Sequence, residues 1–424
     1  EVKGEGGSIA QEKRTFWCSH LGPIIHRTPG KAFAVKSERL DSHLHFEGFY
    51  RLARTRSLEE FLHVMRTSPV FTTNFVYADA AGNILYFWNA RIPKRIDDGT
   101  DYRLDVPGDT AKHVWTALHP LDDLPRLLNP PGGYIQNCNN PPWYTSLRDP
   151  IDSSRYPSYF DRAQLALRPQ LAIDLVEGRP KFSVEDVKRL KYSTRMLVAE
   201  RVKPDLIDAL RGVETPSPDV VAGLSALEAW DGQVSAESRG ALLFQRFWDT
   251  YSAAAAQPFA VPWRETEWAK TPRGLADRAL AVSHVEEAVR WTRERFGSER
   301  AAWGDVHRFR LTGIDLPADG ANGTYGCFRV IRAAEQPDGK RITGLAAPGE
   351  PLAGFGDGWV LLVDFSKPVK AWSVLAYGQT TSPGSPHSRD QLRIFASHDL
   401  RPVWFREGDI KAHTERAYHP ERVH

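Results

Sequence analysis

The feature that most constrains this fold is the order of three differently patterned stretches of chain. Residues 1–160 and 301–424 carry short apolar runs interrupted by Gly and Pro, whereas residues 161–300 carry apolar residues at helical spacing. The longest apolar runs, such as 359–363, have the length of strands and are far too short for a membrane span. The sequence therefore predicts an α+β protein with a strand-rich part at 1–160, a mainly helical segment at 161–300, and a strand- and loop-rich part at 301–424.

The charge balance and the cysteines exclude several classes of protein. The 424 residues include 55 basic and 53 acidic side chains, a formal charge of +2, so no large basic face is expected and no nucleic acid partner is predicted. Three cysteines are too few for a disulfide scaffold. The cysteines are Cys18, Cys138 and Cys327. Two states of these residues stay open: one disulfide bridge with one free thiol, or three buried thiols.

Local patterns predict individual helices and strands. Apolar spacing predicts helices over 237–252 and 274–296. Residues 73–77 and 84–88 are typical of strands, and the loop between them contains Gly82 and has the length of a hairpin connection. Two residue pairs have the spacing of capping boxes at helix starts: Ser57 with Glu60, and Ser183 with Asp186.

The most unusual segment is 132–143, where three asparagines surround one cysteine between a glycine pair and a proline pair. An asparagine amide donates two N–H groups and carries no charge, so it could stabilise an oxyanion without taking part in proton transfer. Pro141 disfavours the helical conformation at Asn140, which indicates an extended chain there. Two other interpretations stay open: an asparagine-rich turn whose amides bond their own backbone, and a nucleophilic Cys138, which would need a base and an electropositive pocket.

Several short motifs follow one another from the start to the end of the chain. They are His20-Leu21-Gly22-Pro23, Phe75-Val76-Tyr77-Ala78-Asp79, Gly82-Asn83-Ile84, Asp105-Val106-Pro107-Gly108, Gly133-Tyr134-Ile135 with the asparagine run, Trp303-Gly304-Asp305-Val306-His307, Tyr377-Gly378-Gln379, Ser385-Pro386-His387 and Asp390-Gln391. Each motif alone is weak. As an ordered set that covers nearly the whole chain, they resemble the penicillin acylase family.

The resemblance implies an N-terminal-nucleophile amide hydrolase with a four-layer α-β-β-α architecture, of which this chain supplies the C-terminal part of the β chain. Members of that family are made as one precursor that cuts itself. The new N-terminal residue, usually serine, then attacks the amide with its own α-amine as base. An α-amine titrates at about 8, so it can accept a proton near neutral pH. Glu1 has neither hydroxyl nor thiol, so the nucleophile is expected on an upstream chain.

The resemblance also implies two catalytic residues in this chain. The oxyanion-stabilising asparagine of the family matches Asn139, with Asn137 and Asn140 as alternative registers. A supporting arginine of the family matches Arg162. The substrate-binding residues are not assigned.

A structural calcium ion is a further implication, since some members of the family bind one. The ligands in this chain would be the carbonyl of Tyr102 and the carboxylate of Asp152 or Asp149. Calcium takes about six or more oxygen ligands, so the remaining ones are expected upstream. The resemblance implies no required cofactor.

The start of the chain indicates protein partners. Gly4–Gly7 has the composition of a turn, and the apolar residues Phe16, Trp17, Ile24 and Ile25 follow on strand-like runs. Strands cut from their neighbours in a sheet leave unpaired backbone groups and apolar faces. We therefore expect a fragment held tightly by the upstream α chain and the N-terminal β segment of the same precursor.

The breadth of the family sets the expected substrates. It includes acylases for penicillins, cephalosporins and N-acyl homoserine lactones, and its members are commonly exported to the periplasm. We therefore expect a periplasmic enzyme that removes the acyl chain from N-acyl homoserine lactones, from β-lactam antibiotics, or from both. The alternative is a non-catalytic binding or structural relative that keeps the fold and lacks the nucleophile.

Overall fold

The chain divides into two compact units that interleave along the sequence. The structure, a computed structural model, describes residues 2–3, 9–38, 45–67, 72–179, 181–311, 313–335, 351–382, 384–417 and 419. The turn predicted at Gly4–Gly7 lies outside these residues. One unit comprises Glu1–Ile135 and Pro150–Arg162, and the other comprises Gln136–Asp149 and Ala163–His424. The three-part division expected from the sequence stays a prediction. Its boundary at residue 160 lies close to residue 163, where the chain enters the second unit again.

The described residues of the first unit form short antiparallel strands and two α-helices. Its first two sheets are β1 (Val2–Lys3) with β2 (Ile9–Ala10), and β3 (Cys18–Ser19), β4 (Gly22–Thr28) and β5 (Lys31–Ala34). The helices are α1 (His45–Leu52) and α2 (Leu58–Thr67). A third sheet contains β6 (Thr73–Ala78), β7 (Ile84–Asn89) and β8 (Arg126–Leu128).

The predicted hairpin is confirmed as β6 and β7, which pair antiparallel from Thr73 with Asn89 to Ala78 with Ile84. Its loop is organised by Asp79, whose carboxylate accepts the amide N–H groups of Ala81 and Asn83 and the side-chain amide of Asn83. These hydrogen bonds, the one from the Asn83 side chain first, lower the pKa of Asp79. The Asp79 carboxylate therefore accepts the hydrogen bonds that hold this loop together, as aspartate side chains do in Asx-turns.

The two predicted capping boxes differ in outcome. The box at Ser183 and Asp186 is complete: each side chain accepts the backbone N–H of the other at 3.1 Å. At α2 only half of the box forms, because Ser57 accepts the Glu60 amide but the Glu60 carboxylate accepts the amide of Arg56 instead. The Glu60 carboxylate therefore still satisfies a backbone N–H that precedes the helix.

The second unit begins with a block of helices. They are α3 (Leu167–Val176), α4 (Val184–Lys191), α5 (Leu197–Arg211), α6 (Pro218–Ala229), α7 (Ala241–Ala254) and α8 (Arg278–Phe296), with the short pair β9 (Phe259–Val261) and β10 (Arg273–Leu275) before α8. The helix predicted at 274–296 starts later because Asp277 caps it by accepting the Leu280 amide. Among the described helices, none has the length and apolar character that a bilayer crossing requires.

The C-terminal part of the second unit returns to strands. A four-stranded sheet has the order β12 (Ile314–Pro317), β11 (Arg308–Leu311), β14 (Pro351–Gly356) and β13 (Ile331–Glu335), in which only the β11–β14 pair of these described strands is parallel. A second sheet contains β15 (Trp359–Asp364), β16 (Lys370–Leu375) and β17 (Arg401–Pro402). Three short helices are α9 (Trp303–Val306), α10 (Leu392–Ala396) and α11 (Glu407–Ala412).

The helical block forms the main apolar core. Its fully buried side chains include those of Val202, Leu206, Phe244, Phe247 and Val285. Each large apolar side chain buried in this way contributes about 1.5–3 kcal/mol relative to exposure. Helix α6 lies so close to α8 that a Cβ at Gly223 would approach Val285 Cγ1 to 2.5 Å, so this contact requires glycine.

A buried ion pair lies beside the smaller core of the C-terminal part. Arg329 is fully buried, and its Nε donates to Asp319 Oδ1 at 2.7 Å. Its guanidinium lies over the rings of Tyr192 and Phe395, 4.9 and 4.8 Å from their centroids. Burial alone would raise the pKa of Asp319, but the hydrogen bond to His398 and the charge of Arg329 outweigh burial and lower that pKa. The carboxylate is therefore held charged inside the protein.

His307 is a buried histidine kept neutral by its surroundings. It follows α9, and its ring stacks on that of Trp303, with centroids 3.8 Å apart and planes 6° apart. Within the described residues, the buried Nδ1 has no hydrogen-bond partner. Burial penalises the charged imidazolium and lowers the pKa of His307 from 6.5 to about 4.

We expect His307 to make the protein less stable as the pH falls from about 6.5 to about 4. The folded-state pKa lies below the unfolded-state pKa, so in this range the unfolded chain binds a proton that the folded chain does not. The free energy of unfolding contributed by this site therefore falls by about 3 kcal/mol across the window. Denaturant unfolding at about pH 7 and about pH 4.5 measures the change, and His307→Phe is expected to reduce it by that amount.

His413 provides the matched control. It also stacks on a tryptophan, Trp404, with ring centroids 3.7 Å apart, but it is exposed to solvent. His413→Phe removes a histidine–tryptophan stack without removing a buried imidazole, so it controls for loss of the stack alone. An equal pH dependence in His307→Phe and the wild type would show that His307 does not contribute.

Candidate functional site

The asparagines predicted as candidates lie on a loop, residues 136–149, that belongs to the second unit. We call it the asparagine loop. Its two ends are joined by Gln136, whose backbone N–H donates to the Thr145 carbonyl at 3.0 Å and whose side-chain amide donates to the Tyr144 carbonyl at 2.7 Å. A 3₁₀ turn over Pro142–Tyr144 is buried. The loop is therefore anchored at its base by hydrogen bonds and by apolar burial.

Two of the three asparagine amides maintain the backbone of the asparagine loop. Asn137 Oδ1 accepts the N–H of Asn139 at 2.8 Å, and Asn137 Nδ2 donates to the Asn140 carbonyl at 3.0 Å. Asn140 is buried, its Oδ1 accepts the N–H of Cys138 at 2.9 Å, and its Nδ2 donates to the Pro141 carbonyl. At these two positions the structure agrees with the interpretation of an asparagine-rich turn.

The third asparagine, Asn139, is arranged differently. It is exposed, and its φ of 63° lies in the left-handed region, which asparagine tolerates better than most residues. Its Oδ1 accepts a hydrogen bond from an arginine. In the part of the chain that the structure describes, its Nδ2 donates no hydrogen bond. The loop thus presents one uncommitted N–H₂ donor group to solvent, and that group is on Asn139.

The arginine that contacts this amide is Arg168, on the first turn of α3. Its Nη2 donates to the Cys138 carbonyl at 2.6 Å and to Asn139 Oδ1 at 2.8 Å. Sequence reasoning missed Arg168 because 29 positions separate it from Asn139. One signal could have found it: a cation in the first turn of a helix is unfavourable beside the helix dipole, so its presence there indicates another role.

The cysteines do not form a bridge. Cys18 is exposed, whereas Cys138 and Cys327 are buried, and all three are free thiols. Neither of the two open states therefore holds: there is no bridge, and one of the three thiols is not buried. Burial raises the pKa of Cys138, and the nearby charge of Arg168 offsets this only in part. A protonated, buried thiol is a poor nucleophile, so the structure disfavours the alternative in which Cys138 is the catalytic residue.

Arg162 lies in the first unit, just before the chain passes to the second. It is exposed, and its Nη2 donates to the carbonyls of Ser153 and Tyr156 at 2.9 and 3.0 Å. These contacts are those of an arginine that caps a short turn. The supporting role that the resemblance gives Arg162 stays a prediction.

The residues proposed for calcium have other hydrogen-bond partners. Asp152 caps a short 3₁₀ turn by accepting the N–H and hydroxyl of Ser154, which lowers its pKa. The ring of Tyr102 lies under the guanidinium of Arg95, and its hydroxyl donates to the Ile96 carbonyl. Within the described ranges, no three His, Cys, Asp or Glu side chains are grouped as a metal site. One carbonyl and one carboxylate do not satisfy calcium, so its site, with Asp149 as the alternative ligand, stays a prediction.

Comparison with solved structures identifies the fold. The chain resembles a thermostable penicillin G acylase from Alcaligenes faecalis, with a TM-score of 0.63, over 99% of this chain and 80% of that chain. The two are 18% identical, so the likeness establishes the fold and not the activity. The chain therefore has the mixed helix-and-strand fold of that penicillin G acylase. The four-layer architecture and the assignment to the C-terminal part stay predictions.

Comparison of sequences identifies the family. Residues 1–412 match the family model described as penicillin amidase, and the chain belongs to that family. The acyl-homoserine lactone acylase PvdQ of Pseudomonas putida is 25% identical over 447 residues, which cover 98% of this chain and 55% of that protein. The aculeacin-A acylase of Actinoplanes utahensis is 23% identical over 452 residues, covering 94% and 54%. The chain thus spans about half the length of the curated relatives it matches.

Proposed function

We propose that this chain is part of an acylase that hydrolyses the amide bond of N-acyl homoserine lactones, with some activity on β-lactam antibiotics. Family membership and the names of the relatives support the reaction class. The observation that carries the proposal is the amide of Asn139, which presents a donor to solvent while its neighbours Asn137 and Asn140 hold the backbone. Such a donor suits the oxyanion that forms when an amide carbonyl is attacked.

The proposed reaction is acyl transfer to a nucleophile that lies outside residues 1–424. The α-amine of an N-terminal serine accepts the proton of its own hydroxyl, and the oxygen attacks the amide carbon. Asn139 Nδ2 donates to the resulting oxyanion. Collapse of the tetrahedral intermediate expels the amine, which takes up the proton and leaves an acyl ester. Water then attacks the ester and releases the fatty acid.

The proposal includes a partner, namely the upstream segment of the same precursor, in the periplasm. Exposed apolar side chains near β3 and β4 support it, because Phe16, Trp17 and Ile25 are 83%, 54% and 70% exposed. Neighbouring exposed apolar side chains of this size are typical of a surface that another chain covers. Burial of each would stabilise the assembly by about 1.5–3 kcal/mol.

A substrate panel tests the proposed function. The complete gene product is purified and incubated with N-acyl homoserine lactones of several chain lengths, with penicillins, and with a cephalosporin, and the released primary amine is measured. Amine release separates amide cleavage from opening of either ring. We expect the largest rates on N-acyl homoserine lactones. The same preparation, run on native and denaturing gels, is expected to contain this chain with an upstream chain that separates only on denaturation.

Two results would contradict the proposal. Absence of amine release from every substrate would favour the alternative of a non-catalytic relative with the same fold. A stable, soluble species containing residues 1–424 alone would show that Phe16, Trp17 and Ile25 need no partner.

A further inference from the structure

A pocket in the first unit contains charges of both signs that are not paired with one another. It lies between the end of α1 and the first turns of α2, and its volume is about 410 Å³. Small-molecule sites have volumes of about 300–1,000 Å³, so a small ligand fits a pocket of this size. The lining side chains that matter for its chemistry are Arg51, Arg54, Glu59, Glu60, His63 and Val64.

The positively charged side of the pocket is held in place by residues of α1. Arg51 Nη2 donates to Glu47 Oε1, one turn earlier on the helix, so its charge is neutralised there. Arg54 Nη1 donates to the Tyr50 hydroxyl at 2.9 Å, and its guanidinium lies over the Tyr50 ring, 5.6 Å from the centroid. Among the described residues, Arg54 has no carboxylate partner. Arg54 therefore supplies an oriented cation that the protein does not neutralise.

The negatively charged side of the pocket belongs to α2. Glu60 Oε2 accepts the N–H of Arg56 at 2.8 Å, which fixes this carboxylate at the start of the helix. The side chains of Glu59 and His63 lie one turn apart on α2. Within the part of the chain that the structure describes, neither side chain forms a hydrogen bond or an ion pair. Two carboxylates thus line the pocket without pairing with Arg54.

A ligand that matches this arrangement carries both charges. Its carboxylate accepts hydrogen bonds from the guanidinium of Arg54, and its ammonium group donates to the carboxylates of Glu59 and Glu60. Val64 is buried and lines the same pocket, so it offers apolar contact to the carbon atoms between the two groups. A ligand with a single charge would satisfy one side of the pocket and leave the other side without a partner.

We propose that this pocket is a binding site for a compact zwitterion of the α-amino acid class. The inference is independent of the proposed function, because none of the lining residues takes part in the proposed reaction. Tyr50 already orients the guanidinium of Arg54, so less side-chain freedom is lost when the ligand binds. The interacting charges are exposed to solvent, so the affinity falls as the salt concentration rises.

Three compounds of matched shape test the proposal by isothermal titration calorimetry on the complete protein at low ionic strength. L-Alanine carries both charges, N-acetyl-L-alanine carries only the carboxylate, and L-alaninamide carries only the ammonium group. L-Alanine is expected to bind about tenfold more tightly than either of the others, the effect of one charge-assisted hydrogen bond. Arg54→Met and Glu59→Gln are each expected to weaken the binding of L-alanine by a similar factor.

Glu185→Gln is the matched control. Glu185 is exposed and is the second residue of α4, as Glu59 is the exposed second residue of α2. Both substitutions therefore remove the same charge from the first turn of a helix, and a thermal unfolding curve compares their stabilities. Glu185→Gln is expected to bind L-alanine as the wild type does. No binding of L-alanine, equal binding of the three compounds, or equal weakening by Glu59→Gln and Glu185→Gln would overturn the inference.

Discussion

Replacing Asn139 with alanine is expected to lower kcat about 10²- to 10³-fold in the complete protein, with a loss of stability of about 1 kcal/mol. Removal of one oxyanion donor has an effect of this size in other acyl-transfer enzymes. The loss of stability is small because Asn139 is exposed, and it arises from its positive φ, which alanine adopts less readily than asparagine. Steady-state kinetics on the preferred substrate, with a thermal unfolding curve for each variant, measures both quantities.

Asn139→Asp sharpens this test, since it keeps the shape of the side chain but replaces the donor with a negative charge. We expect it to be at least as inactive as Asn139→Ala. Asn129→Ala is the control, because Asn129 is also exposed and has a positive φ, 48°, in the first unit. An active Asn139→Ala, within a few-fold of the wild type, would remove Asn139 from the mechanism.

Replacing Asp319 with alanine is expected to destabilise the protein by about 3–5 kcal/mol. The change leaves the charge of Arg329 buried without its carboxylate partner, and a buried, unpaired charge carries a penalty of that size. The rings of Tyr192 and Phe395 that enclose the guanidinium keep water away from it. Denaturant unfolding at neutral pH, evaluated from the midpoint and the slope, measures the loss.

Asp315→Ala is the matched control for this experiment. Asp315 also pairs with arginines, Arg308 and Arg310, but its side chain is about half exposed. Exposed pairs contribute about 0–1 kcal/mol, so its loss is expected to be small. Similar destabilisation by the two substitutions would show that burial of the Asp319 pair has no special energetic role.

Signals that act over a few residues were sufficient to predict much of the fold. The strands predicted at 73–77 and 84–88 end within one residue of the observed β6 and β7. Both strands and the glycine-containing loop between them lie within one short stretch, so local patterns were sufficient. The box at Ser183 and Asp186 formed as predicted for the same reason. The family resemblance, carried by an ordered set of motifs, predicted the class of fold that the structural comparison confirms.

Features that depend on distant contacts could not be predicted. Three asparagines within four positions look alike in sequence, and only the hydrogen bonds of the folded loop separate Asn139 from its two neighbours. Arg168 reaches the loop from another element. The buried pair of Asp319 and Arg329 could not be predicted either, because no sequence pattern marks it and charged residues are usually exposed.

The interleaving of the two units has a consequence for how such a gene can evolve. The chain changes unit at 135/136, at 149/150 and again at 162/163. A single recombination event exchanges one contiguous stretch, so it cannot transfer either unit whole without also transferring part of the other. A crossover within residues 150–162 would also join the asparagine loop of one parent to the Arg168 helix of another. Such a hybrid keeps the hydrogen bonds from Arg168 to the loop only if the two parents supply matching partners.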